Sequence, residues 1–139
     1  MGGVVSERFG PGFQEAESRL YRLEYAAVTL AILGFLLWRT YYQGGLDWIQ
    51  FLFWFLFPDL AAFIPIGVSS KRREWPSWGP HVYNLFHNML VWILLFVIAL
   101  AAFRVPYWPL IGWLLHITAD RAAGYGLRAK VTASQHENK

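Results

Sequence analysis

Four long apolar segments, separated by short polar ones, constrain the fold of this chain more than any other feature. They run over residues 23–38, 48–66, 82–103 and 106–123. A helix that crosses a bilayer needs about 17–25 residues. The first segment is slightly short, but Arg39 can extend its side chain to the interface and lengthen it. The sequence therefore predicts an all-α fold, an integral membrane four-helix bundle.

Composition agrees with a membrane protein. Of the 139 residues, 56% are hydrophobic and only 15% are charged, whereas a soluble domain carries about 25% charged residues. The chain has no cysteine, which excludes disulfides and thiolate metal sites. The net charge of +3 has an explanation in membrane topology, so no nucleic-acid partner is predicted.

The basic residues predict the orientation of the bundle. With four crossings, both termini and the middle loop share one side of the membrane. That side holds ten of the twelve basic residues, namely Arg8, Arg19, Arg22, Lys71, Arg72, Arg73, Arg121, Arg128, Lys130 and Lys139. Such a bias predicts cytoplasmic termini and a multi-pass protein of the inner, cytoplasmic membrane. The predicted parts are a loose arm at 1–22, a four-helix domain at 23–128 and a polar tail at 129–139.

Ionisable residues interrupt the apolar segments in the half nearer the cytoplasm. His116 and Asp120 are four residues apart, so they share one face of a helix. Asp59 lies near the middle of the second segment, and His87 lies near the start of the third. Charged groups within a bilayer cost roughly 2.5–3.5 kcal/mol each on insertion scales, and by default they indicate a functional site. Gly112 lies on the same face as His116 and predicts the close approach of another helix.

Two imidazoles and two carboxylates on three helices favour a divalent metal site for zinc, iron or manganese, with Asp59, His87, His116 and Asp120 as ligands. Three further residues are predicted to act in catalysis. Glu24 is the candidate general base, Asn84 would orient the substrate, and Arg121 would pair with a carboxylate or a phosphate. Membrane lipids are the expected contacts of the apolar surface.

Other interpretations remain open. The polar residues would also suit interhelical pairs, with His116–Asp120, Asp59–Arg121 and Asn84–His87 holding the bundle together. The protein would then be a non-catalytic accessory subunit of a larger membrane complex, or a homo-oligomer. His87 and His116 could instead be axial ligands of a haem or a related pigment. Gly124 is predicted to cap the carboxyl end of the last helix.

Short motifs along the chain carry a resemblance to a known family: Arg22-Leu23-Glu24-Tyr25, Phe57-Pro58-Asp59-Leu60, Tyr83-Asn84-Leu85-Phe86-His87, Trp113-Leu114-Leu115-His116-Ile117 with Asp120-Arg121, and Gly124-Tyr125-Gly126-Leu127. They resemble the membrane proteins grouped as domain of unknown function 4260. The resemblance covers roughly residues 22–130. It implies a small four-helix bacterial membrane protein and no particular activity.

A fainter similarity points to chemistry. Inner-membrane metal-dependent hydrolases also combine a Pro-Asp pair, a helix-opening His and a His-x-x-x-Asp motif. Pro58-Asp59, His87 and His116 with Asp120 are similar to these elements. This similarity implies a metal-dependent hydrolase that acts on a lipid or another amphiphile at the cytoplasmic face.

Overall fold

The computed structural model describes residues 19–70, 74–125 and 127. These residues form an all-α protein, as predicted, with helices α1 (Arg19–Gln43), α2 (Trp48–Ser69), α3 (Gly79–Phe86), α4 (Met89–Phe103) and α5 (Ile111–Ala123), and a short 3-10 helix at Trp108–Leu110. Most of the predicted amino-terminal arm, the Lys71-Arg72-Arg73 cluster and the polar tail lie outside the described residues.

Helices α1 and α2 are long and apolar enough to cross a membrane, with 25 and 22 residues. Gly44 and Gly45 end the first helix with positive φ angles of 78° and 81°, a conformation that costs glycine little. Asp47 then starts α2, since its carboxylate accepts hydrogen bonds from the backbone N–H groups of Ile49 and Gln50. This side-chain cap satisfies donors that have no partner within the helix.

The third apolar segment is not the continuous helix that its sequence predicts. It consists of α3 and α4, which are bent by 50° at the break between Phe86 and Met89. Asn88 has an extended backbone at the break, and its side chain accepts a hydrogen bond from Leu90 N. A new helix therefore begins where the hydropathy pattern shows no boundary. If the bent pair counts as one crossing, the described residues provide three candidate spans.

Helix α5 is the most buried helix of the described structure and packs against both α1 and α2. It has 13 residues, or about 20 Å at 1.5 Å per residue, which is less than the ~30 Å hydrocarbon core. A Cβ atom on Gly112 would lie 2.9 Å from the backbone nitrogen of Phe55. The predicted close approach of helices at Gly112 is therefore present, and α2 is the neighbour.

The carboxyl end of α5 also follows the prediction. Gly124 has a φ of 99°, and its N–H bonds to the carbonyl groups of Asp120 and Arg121. Arg22 of α1 donates a hydrogen bond from Nε to the carbonyl oxygen of Ala122. These contacts satisfy carbonyl groups that the last turn of a helix leaves free. They also attach the start of α1 to the end of α5.

The interior is built around the indole of Trp113 on α5. Trp113, Leu110 and Ile117 are buried together and contact aromatic side chains of α2, among them Trp54 and Phe57. In contrast, α4 has no buried residue and exposes a series of large aliphatic side chains. Exposed apolar surface on long apolar helices indicates contact with membrane lipid.

Candidate metal centre

Four ionisable side chains from three parts of the fold converge on one point. Asp59 comes from α2, His116 and Asp120 come from successive turns of α5, and His87 is the residue that ends α3. Each offers one ligand atom, and these four atoms all lie within 4.8 Å of one another. The group could therefore hold a metal ion, and it is made of the four residues that the sequence predicts as ligands.

The distances within the group lie near those expected between ligands of a shared ion. Nε2 of His87 lies 3.2 Å from Oδ1 of Asp59 and 3.7 Å from Oδ2 of Asp120. Nε2 of His116 lies 3.3 Å and 3.1 Å from the same two oxygens. Ligands bound at about 2.0–2.2 Å around a tetrahedral ion are separated by about 3.3–3.6 Å. The four imidazole–carboxylate separations run from 3.1 Å to 3.7 Å, slightly beyond both ends of that range.

Tyr83 orients the His87 ring. The Nδ1 atom of His87 lies 2.8 Å from the carbonyl oxygen of Tyr83, and the two rings stack with their centroids 3.9 Å apart. A carbonyl oxygen can only accept, so Nδ1 carries the proton and donates. This bond turns Nε2 of His87 toward the carboxylates, where it lies within hydrogen-bonding distance of Oδ1 of Asp59. Metal-binding histidines are held in the same way, by a hydrogen bond from their other ring nitrogen.

The second imidazole, that of His116, forms no hydrogen bond through Nε2 with the described residues. Nε2 of His116 is buried, and no atom of the described residues meets hydrogen-bond geometry with it. Its nearest carboxylate oxygens, Oδ1 of Asp59 and Oδ2 of Asp120, lie at ion-pair distances of 3.3 Å and 3.1 Å. A buried polar atom without a partner is costly. A cation among the four side chains would remove that cost.

Burial differs between the two sides of the group. The side chains of His87 and His116 are 4% and 7% exposed, whereas those of Asp59 and Asp120 are 45% and 28% exposed. The imidazole side is enclosed by aromatic rings, with Phe55 in edge contact with His116. The carboxylate side is open. The group is therefore accessible from the side of Asp59 and Asp120.

Arg121 does not form the ion pair with Asp59 that one interpretation of the sequence predicts. Its guanidinium donates from Nη1 to the hydroxyl of Tyr25 at 2.6 Å and from Nη2 to the carbonyl oxygen of His87 at 3.2 Å. The same group lies over the ring of Tyr25. Arg121 thus links α1 and α5 to the break that carries His87.

The two remaining predicted site residues lie outside the group of four. Glu24 is exposed on α1, where it lines a groove with Tyr25, Val28 and Met89. Asn84 is half-buried on α3, one turn before His87. Their assignment as general base and substrate-orienting residue stays a prediction.

Sequence reasoning missed the residues that support His87. Tyr83 precedes it by four positions, a spacing that places both side chains on one helical face, so that contact was open to prediction. Trp113 donates from Nε1 to the carbonyl oxygen of Phe86 at 2.7 Å. This bond and the one from Arg121 satisfy carbonyl groups at the α3–α4 break. Both depend on the tertiary fold, and no local pattern indicates them.

Comparison with known proteins identifies the family. The sequence model of the family described as "Domain of unknown function (DUF4260)" matches residues 18–136. The chain belongs to this family. The match includes all four members of the polar group, and it confirms the resemblance carried by the motifs around them. The similarity to metal-dependent hydrolases is not shown by these comparisons.

No significant match is found among curated proteins or among solved structures. The family description names no activity. The residues of the site alone therefore indicate its chemistry.

Proposed function

We propose that this DUF4260 protein is an inner-membrane protein that binds a divalent metal ion and uses it to hydrolyse a lipid or another amphiphile. Asp59, His87, His116 and Asp120 are the proposed ligands. The ion would be zinc, iron or manganese, since all three accept mixed imidazole and carboxylate ligands. The proposal concerns a site within the membrane domain, in its cytoplasmic half.

The convergence of two Nε2 atoms on two carboxylates carries this proposal. Ionised carboxylates only accept hydrogen bonds, and the Nε2 atom of a neutral histidine that donates from Nδ1 also only accepts. Four acceptors facing one another repel unless a cation lies among them. With the ion bound, Nδ1 of His87 would keep its hydrogen bond to Tyr83, and its Nε2 would be unprotonated and bind the ion. Nε2 of His116, which has no hydrogen bond among the described residues, would bind it in the same way.

The side chains around the ion would have different roles in hydrolysis. A divalent ion held by these four residues would supply Lewis acidity for hydrolysis, and water would need a coordination position beyond the four protein ligands. The open carboxylate side, at Asp59 and Asp120, is where a substrate approaches. Asn84 would orient the substrate, and Glu24 would accept a proton as general base. Arg121 would position His87 through the hydrogen bond to its carbonyl group. The pairing of Arg121 with a carboxylate or a phosphate of the substrate stays a prediction.

The proposed membrane arrangement keeps both termini in the cytoplasm. Helices α1 and α2 and the bent α3–α4 pair are the three candidate crossings. A fourth would be made by α5 together with the 3-10 helix and the residues that flank them. The charge distribution of the full sequence, with ten basic residues on one side and two on the other, supports this orientation.

Elemental analysis of the purified protein tests metal binding. The protein should retain about one equivalent of metal per chain, and His116→Ala should lose it because a four-ligand site loses one quarter of its donors. His81→Ala is the matched control, since His81 is exposed on α3 and is not a member of the group. Protein that is metal-free when purified, and that takes up none of the three ions when they are added, would overturn the proposal.

A second candidate function, that of a non-catalytic accessory subunit, rests on the same distances. Doubly protonated imidazoles at 3.1–3.7 Å from two carboxylates would form a neutral ion-pair network. The protein would then copurify with a larger complex and bind no metal. The haem interpretation has less support, because the carboxylates of Asp59 and Asp120 lie next to both Nε2 atoms, where a macrocycle needs an apolar slot.

A further inference from the structure

Asp59 lies on the boundary between two faces of α2. On one side of it are Ala62 and Ile66, which are buried. On the other side are Leu56, Leu60 and Phe63, which are exposed. Oδ1 of Asp59 faces both imidazoles, while almost half of the side chain is accessible. The carboxylate thus connects the metal centre to an apolar outer face.

This exposed edge lies far from either end of the helix. Asp59 is about 16 Å along the axis from Trp48 and about 15 Å from Ser69, at 1.5 Å per residue. A bilayer core is about 30 Å thick, so the edge opens near the middle of the membrane. Hydrocarbon cannot solvate a carboxylate. The imidazoles approach Oδ1 of Asp59, and a group that donates a hydrogen bond would satisfy the exposed part of the carboxylate.

We infer that the metal centre is reached sideways from the bilayer, by an amphiphile that donates a hydrogen bond to Asp59. Its apolar body lies along Leu56, Leu60 and Phe63, and its hydroxyl or ammonium group meets the carboxylate. This inference deepens the proposed function, because it narrows the substrate to an amphiphile with a hydrogen-bond donor and gives its route to the site. Only the role of the metal ion rests on the proposed function. It requires no opening at either end of the bundle.

The hydrogen-bonding chemistry of Asp59 argues against a second copy of the chain as the occupant. Most homo-oligomers have two-fold symmetry, in which a surface patch meets its own copy. Two-fold pairing through this face would bring one Asp59 carboxylate toward the other. Ionised carboxylates only accept hydrogen bonds, so neither would supply a donor for the other. An amphiphile with a donor group supplies that donor.

Photo-crosslinking with two matched probes tests this inference. One probe is a long-chain alcohol with a diazirine in its chain, and the other is its methyl ether, which cannot donate. With the protein in phosphatidylcholine vesicles, the alcohol should label the segment 52–63 about tenfold more than the ether, because hydrogen bonds to charged groups are strong. Asp59→Leu should reduce that ratio to about one. Asp47→Asn, at the start of the same helix, should preserve it.

Two outcomes would overturn the inference. Equal labelling by both probes would mean that bulk lipid alone contacts this face. Since the chain lacks cysteine, Leu56→Cys provides a single thiol, and near-complete disulfide dimer formation under mild oxidation would place a second copy there instead. Repeating the labelling after chelation separates this inference from the proposed function. Selective labelling of protein that never binds metal would support lateral docking while the metal proposal fails.

Discussion

Arg121 donates a hydrogen bond from Nη2 to the carbonyl oxygen of His87. His87 ends α3, and its carbonyl group has no partner within that helix. The bond therefore fixes the backbone of the residue whose imidazole faces Asp59 and Asp120. Through Nη1, the same guanidinium contacts the hydroxyl of Tyr25 on α1. Groups that hold metal ligands in place affect metal affinity although they never touch the ion.

The first prediction follows from this contact. Arg121→Gln should weaken metal binding by about tenfold or more, because the carbonyl group of His87 loses its donor and the ring loses its fixed position. Tyr25→Phe should weaken it less, since it removes only the support of Arg121. Competition with a chromophoric chelator measures both. Tyr41→Phe, at a highly exposed position on α1, is the control. Unchanged affinity in Arg121→Gln would show that the bond does not position His87.

The sequence was sufficient to predict the polar group because each of its members stands out from the residues around it. His116 and Asp120 are a helical turn apart, and Asp59 and His87 interrupt apolar segments at comparable depth. The sequence does not indicate which residues hold these four side chains in place. Tyr25 and Arg121 are 96 residues apart, and only the packing of α1 against α5 brings them together.

The α3–α4 break also escaped prediction, for a physical reason. Asn88 is the residue that starts α4, and asparagine is a good N-cap. It is also tolerated within a helix, where it costs less than 1 kcal/mol, so its presence did not decide between a cap and a continuous helix. The deciding groups are Trp113 and Arg121, whose donors satisfy the carbonyl groups of Phe86 and His87.

The second prediction concerns the contact between α2 and α5. Gly112→Ala should destabilise the protein by about 1–3 kcal/mol, since overpacking forces the backbones apart. Its Cβ would meet the backbone of Phe51 and Phe55, which cannot rotate away. Thermal unfolding in detergent measures the effect. Gly34→Ala is the matched control, because nothing lies within 4 Å of a Cβ there and alanine favours a helix. Equal melting temperatures for the two variants would contradict the close approach.

The third prediction is the topology. The distribution of the basic residues predicts that both termini lie in the cytoplasm, with the loops at 44–47 and 104–105 on the other side. A reporter that is active only in the cytoplasm should therefore work when fused after Lys139 and fail when inserted at 44–47. A reporter that is active only after export should give the opposite pattern. Export of the fusion at Lys139 would reverse the side assignment and place the metal centre in the outer half.

The last prediction links metal binding to stability through Asp59. If an ion occupies the site, chelation should lower the melting temperature of the wild-type protein, since a ligand at about 1,000 times its Kd stabilises the folded state by about 4 kcal/mol. Asp59→Leu should insert and fold, but it should bind no metal, and chelator should leave its melting temperature unchanged. It should also melt no lower than the chelated wild type, because the bundle no longer holds an uncompensated carboxylate. His81→Ala should respond to chelator as the wild type does.

An ion-pair network without a metal ion predicts another pattern. Chelator would have no effect on the melting temperature of the wild type. Asp59→Leu would melt well below the wild type, because the two imidazoles would lose a counter-charge.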